Sequence, residues 1–177
     1  MQGEIDKHLA GVTFTPAVVG ILTDGGRVCL GVRKSVSGGL GENLIAGIGG
    51  KVGDTPDIQN ETAEQAMNRE ADEEIKVRIT NKKYMGRVRF MFSHKSPDSK
   101  WNQDVSVYVV TGWNGTPTET ESTKPEWFEV GNIPWESMWE DNKYWMLKVL
   151  AGRMVNAVFL FNGDNKISEY RFDPISS

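Results

Sequence analysis

The 177-residue chain is predicted to form a mixed β-sheet with two helices packed on it, an α/β or α+β architecture. Three observations predict this. Several β-rich runs alternate or flank glycine turns, one acidic segment carries helical periodicity behind a capping signal, and the chain closes on two strand-like runs around a turn. With 38% hydrophobic and 25% charged residues, the composition suits a single domain over 1–177, large enough to bury a core.

The first element is a hairpin. "VTFTPAVVGIL" and "VCLGVRK" are rich in β-formers and flank the turn "TDGGR". "SVSGGLGENLIAGIGGKVGDTPDIQN" follows, rich in Gly, Asn and Asp, and is predicted as one long loop whose apolar middle, "NLIAGI", packs. Thr62 and Gln65 then form a capping box, so a helix should run from Ala63 to Ile75. "KYMGRVRFMF" and "DVSVYVVTGW" read as strands separated by the polar loop "SHKSPDSKWNQ", and "WFEV" as a short strand. Pro134 precedes a second helix expected over Lys143–Leu150. "NAVFLF", an Asn162-Gly163 turn and "KISEYRF" complete the chain as a hairpin.

Bulk properties exclude several classes. The net charge is −4 and Lys and Arg are scattered, so no basic stripe exists to follow a long nucleic acid. No run approaches the roughly 18 apolar residues of a membrane span, and the N-terminus lacks the pattern of a secretory signal. Cys29, the only cysteine, lies in the apolar run "RVCLGV" and is expected to be a buried thiol, consistent with a reducing compartment. A cytoplasmic protein with a small-molecule ligand and no implied protein partner is the expectation. A P-loop is excluded in "GGKV", because Ile45 stands where the first Gly belongs and Val52 where Ser or Thr would hold Mg²⁺.

The acidic helix carries the chemistry. At about 100° per residue, Ala63, Met67, Glu70, Ala71 and Glu74 share one arc, with Ala66 and Glu73 beside it, whereas Asn68 and Asp72 point away. Carboxylates at i, i+3 and i+4 repel one another, and their position beside the apolar side adds a desolvation cost. Hard divalent cations such as Mg²⁺ or Mn²⁺ would compensate both. Arg69 is placed to pair with Glu61 and clamp the preceding loop onto the helix.

"ETAEQAMNREADEE" resembles the Nudix box, G-x5-E-x7-R-E-U-x-E-E-x-G-U, in which Glu61, Arg69, Glu70, Glu73 and Glu74 fall at the required spacings. The resemblance implies an α/β/α sandwich on a mixed sheet and divalent-metal-dependent cleavage of a phosphoanhydride. By position it implies that Glu70, Glu73 and Glu74, with the Gly49 carbonyl, hold metal, and that Arg69 and Glu61 hold the architecture. Glu73, Glu74 or a loop acid, Glu121, would serve as general base. Arg33 and Lys51, flanking the glycine loop, are candidate phosphate or base contacts.

The segment differs from the family pattern in three respects. Gly50 lies five residues too far from Glu61, so "GDTPDIQN" is expected to push the glycine turn away from the helix; Ala71 is small for its position; and Lys76 replaces the usual helix-ending glycine.

Beyond the box, "TPTETESTKPEWFEVGNIPWESMWEDNKYW" and "VFLFNGDNKISEY" are similar to the oxidised purine nucleoside triphosphatases of the MutT-homologue branch. That resemblance implies hydrolysis of substrates such as 8-oxo-dGTP to the monophosphate and pyrophosphate. Trp139 would stack on the purine, Asp141 and Asn142 would read its edge, and Phe90 would form an apolar wall. Asn142 stands where the branch has a second Asp, and Ile45-Ala46 where it has Trp-Asn, so the base preference is expected to differ. Alternatives are a Nudix hydrolase of a nucleotide sugar or capped RNA end, or a nucleotide sensor without turnover.

Overall fold

The computed structural model of the chain describes residues 3–34 and 44–175. The middle of the predicted loop, 35–43, lies outside the described residues. Among the described residues nine strands form one mixed sheet. β1 (Thr15–Asp24) and β2 (Arg27–Arg33) are the predicted hairpin, turning at Gly25 and Gly26 with φ of 56° and 86°. Both turn residues are left-handed, the requirement of a type I′ hairpin that glycine meets without steric cost.

The glycine-rich stretch is not one loop. Ile45–Ala46 forms β3 against β2, and Ile48–Lys51 forms β4 against β1, where Val18 faces Gly50 and Val19 faces Gly49. These short strands have weak intrinsic propensity and exist because β1 and β2 offer paired edges. An N-terminal helix, α1 (Glu4–Leu9), was also not foreseen; the Ile5 N–H donates to the Glu169 carboxylate, a contact distant in sequence.

The long antiparallel pair β5 (Arg78–Phe92) and β6 (Gln103–Asn114) forms the centre of the sheet, with β6 parallel to β1. β7 (Thr123–Glu129) pairs β2, and β8 (Val155–Phe161) runs parallel to β5. β9 (Ile167–Phe172) closes the sheet. The β8–β9 connection is longer than an Asn162-Gly163 turn. The Asn162 side chain accepts from the Asp164 and Lys166 N–H groups, and the left-handed residue is Asn165.

Helix α2 (Ala63–Ile75) has the predicted bounds and both halves of the Thr62–Gln65 capping box. Its apolar side, Ala66, Met67, Ala71 and Ile75, packs on Val18, Leu22, Ile48 and Val110. Helix α3 (Asn142–Leu150) packs on the opposite face through Trp145, Met146 and Val149, over Val88, Phe159 and Phe161. Alternation along β6 and β8 divides the two layers: Val107 and Phe159 face α3, whereas Tyr108 faces α2 and Val158 faces α1. The result is an α/β/α sandwich. Among the described residues no helix is long and apolar enough to cross a membrane.

Candidate active site

On the α3 side of the sheet, the carboxyl end of β5, the start of β6, the β3–β4 turn and the start of α3 enclose a cleft of about 400 Å³. That volume lies within the range of small-molecule sites. Its apolar end is aromatic. Phe92 and Phe161 lie nearly parallel, 5.2 Å apart, and Trp139 stands edge-on to both at 6.0 and 5.3 Å. Phe90 also lines the cleft.

Asp141 and Asn142 line this end as well. Asp141 is 3% exposed, and its Oδ2 accepts from the Trp145 indole N–H at 2.8 Å. Burial pushes its carboxyl up to about 7, with the Trp145 hydrogen bond pulling the other way. The Asn142 amide is partly committed: its Nδ2 donates to the Trp139 carbonyl at 2.9 Å. An Asp at 142 could accept but not make that bond when ionised. Ala46 borders the same space, so no side-chain amide reaches it from that position.

At the other end lie Gly49, Gly50, Lys51 and Arg33. The glycine turn is not pushed away from α2. The Gly49 N–H lies 3.4 Å from Glu74 Oε2, and the Lys51 carbonyl accepts from Arg69 at 3.1 Å. The extra residues fold back instead. Pro56–Ile58 makes a 3₁₀ turn, Glu61 N–H donates to the Ile58 carbonyl, and the Gly53 N–H donates to Glu61 Oε2 at 2.9 Å. Gly53, inside the insertion, thus becomes part of the clamp.

Arg69 is the hub of that clamp. Its Nε and Nη2 take both Glu61 oxygens at 2.6 and 3.1 Å, and its Nη1 reaches Glu70 and Glu73 at 3.1 and 3.0 Å. Arg69 holds the Glu61 carboxyl below its ordinary range. The three helix acids separate by environment. Glu70 is buried and Glu74 half-buried, while Glu73 faces solvent. Burial raises Glu70 and pushes Glu74 up to about 7, against the pull of the nearby Arg33 guanidinium on Glu74.

Among the described residues, no three His, Cys, Asp or Glu side chains stand together as a preformed metal cage. The donor set nevertheless suits a hard cation. Glu70 and Glu74 are desolvated carboxylates at one glycine turn, and a Cβ at Gly50 would run into the Glu70 carboxylate, so the missing side chain leaves that oxygen room. Lys76 occupies the left-handed position that ends α2, at φ 60°, without breaking the helix early. Glu121 is exposed before β7 and does not line the cleft; its neighbour Thr120 instead donates to the Glu74 carbonyl.

The glycine turn that lines the cleft touches an acid helix held by an Arg–Glu clamp, and residues 13–149 match the NUDIX domain model. The chain belongs to the Nudix family. It is 31% identical over 150 residues to the oxidized purine nucleoside triphosphate hydrolase of Danio rerio, covering 85% of this chain and 88% of that protein. The Mus musculus protein of the same name is 31% identical over 151 residues, covering 85% and 89%. The fold is similar to that of a MutT protein from Bacillus halodurans, with a TM-score of 0.74 and 20% identity, over 92% of this chain and all of that one. This Nudix protein is accordingly a hydrolase acting on phosphoanhydrides, of a family that uses divalent metal and small nucleotide substrates.

Two cleft-lining residues, Lys100 and Trp101, were not foreseen. A lone Trp beside Lys in an otherwise polar loop was the available signal.

Proposed function

We propose that the protein, as one domain over 1–177, cleaves purine nucleoside triphosphates, oxidised ones foremost, to the monophosphate and pyrophosphate, with Mg²⁺ as its ion and Mn²⁺ as a substitute. The observation that carries this reading is the single cleft running from an aromatic slot with a buried carboxyl to the glycine turn beside the acid helix. The names of the 31%-identical relatives support the substrate class.

In this reading Trp139 stacks on the base and Asp141 reads its edge. A carboxyl with a pKa of about 7 either donates or accepts, which suits an oxidised purine whose edge carries both groups. The Trp145 indole keeps that carboxyl from rotating. Asn142 acts chiefly by holding the Trp139 backbone, and Phe90 supplies an apolar wall. Arg33 and Lys51 meet the phosphates at the polar end.

Glu70, Glu73, Glu74 and the Gly49 carbonyl would hold the ion, which neutralises phosphate charge and lowers the pKa of water when bound. Arg69 and Glu61 keep the glycine turn and the helix in register. The proton leaving the attacking water passes to a carboxylate of α2, Glu73 or Glu74. Glu121 has no part.

The test is a panel of 8-oxo-dGTP, dGTP, dCTP, a nucleotide sugar and a capped RNA fragment, with products separated by ion exchange. Monophosphate and pyrophosphate from the purine triphosphates are expected. Turnover confined to the nucleotide sugar or the cap would replace this substrate assignment. Glu74→Gln should lower kcat on the order of 10²-fold or more, and unchanged cleavage would remove the helix from the chemistry.

A further inference from the structure

Residues 93–102, between β5 and β6, form a built loop rather than a loose one. Asn102 is 1% exposed, and its side chain bonds three ways: Oδ1 accepts from the Phe92 N–H at 3.1 Å, and Nδ2 donates to the Ser96 and Pro97 carbonyls at 3.1 and 3.3 Å. Its own carbonyl accepts from the Thr15 N–H, while the Pro97 carbonyl also accepts from Thr13. A buried amide with three partners is costly to disturb, so the loop is pinned to the start of β1.

The next residue back is Trp101. It is half-buried, lines the cleft and stands edge-on to Phe92 at 5.2 Å and 85°. Trp139 stands on the same Phe92 ring at 87°. Two indoles therefore stand nearly perpendicular to one phenyl ring, and all three rings line one cleft. The Lys95 ammonium lies 3.8 Å from the Trp101 ring centroid, a cation–π contact that covers one indole face and fixes the ring.

We propose that Trp101 is a second aromatic face for the purine, a specificity-determining residue, with Asn102 as the positioning residue that aims it. Two indoles lining one cleft favour a broad planar ligand, and a bicyclic base gains more contact there than a pyrimidine. The inference rests on the nucleotide reading of the cleft. It adds to Trp139 a residue from an element remote from the acid helix.

The test is calorimetric binding of 8-oxo-dGMP and of dCMP to the full chain without divalent metal, so that turnover does not enter. Trp101→Ala should weaken 8-oxo-dGMP about ten-fold or more, and dCMP much less, while Trp101→Phe keeps most of the affinity. Asn102→Ala should lose the same purine preference; thermal melting identifies a variant that has merely unfolded, and the two Trp101 variants then decide alone. If Trp139→Ala loses binding while Trp101→Ala binds as the wild type does, the second face is refuted and the nucleotide reading stands. If the wild-type chain binds neither nucleotide, the nucleotide reading falls and this inference with it.

Discussion

Removing Arg69 tests the clamp between glycine turn and helix. Its guanidinium has five N–H donors, and the structure gives it five hydrogen bonds: two to Glu61, one each to Glu70, Glu73 and the Lys51 carbonyl. The Glu61 side chain is only 6% exposed. Arg69→Met would leave that carboxylate with the Gly53 N–H as its remaining partner. Removing one member of a largely buried pair costs about 3–5 kcal/mol, because the other charge stays desolvated. For a chain of this size each kcal/mol shifts Tm by roughly 2–4 °C, so a fall of about 6–20 °C is expected. Arg69→Lys should lie between, since one ammonium cannot reproduce the forked contact. Urea unfolding followed by circular dichroism gives the free energies. Glu61→Met combined with Arg69→Met should recover part of the loss, because the Glu61 carboxylate is then no longer left unpaired. An Arg69→Met protein within about 1 kcal/mol of wild type would refute the clamp, and so would a double variant as unstable as the sum of its singles.

Gly50→Ala should cut kcat/KM with Mg²⁺ on the order of 10²-fold, with a stability loss under about 2 kcal/mol, since the Cβ meets only the mobile end of Glu70; full activity would show that Glu70 does not need its present position. Asp141 should make stability depend on pH. Its carboxyl is raised by burial from an ordinary 3.8 to about 7, so the folded chain binds the proton more tightly than the unfolded one. That stabilisation is full below about pH 4 and is lost as pH rises to 7, by roughly 4 kcal/mol. Urea midpoints from pH 4 to 8 should carry this falling contribution in wild type and lack it in Asp141→Asn; identical slopes would contradict it.

Much of this was legible because local signals and tertiary structure agreed. The Thr62–Gln65 box marks the start of α2, and the acid spacing matches the Nudix box. Trp139 and Asp141 were candidates because "MWEDN" resembles the MutT-homologue branch, and both line the cleft. What escaped depends on partners far along the chain. β3 and β4 are glycine-rich and pair only because β1 and β2 offer edges. The six-residue α1 is too short to persist alone and relies on Glu169. Loop length gave the wrong expectation for the glycine turn. The insertion adds residues but not separation, because Gly53 and the 3₁₀ turn return the chain to Glu61. Trp101 and Trp139 meet the same Phe92 ring only because the β5–β6 loop and the segment before α3 come together over β5, which no local signal in either segment shows.

The most direct test of the central claim is the ratio of kcat/KM for 8-oxo-dGTP to that for dCTP in Mg²⁺, with pyrophosphate measured as product and EDTA as the metal-free control. A ratio well above one, stoichiometric pyrophosphate and no turnover in EDTA are expected. Equal turnover of both triphosphates, or release of orthophosphate in place of pyrophosphate, would contradict it.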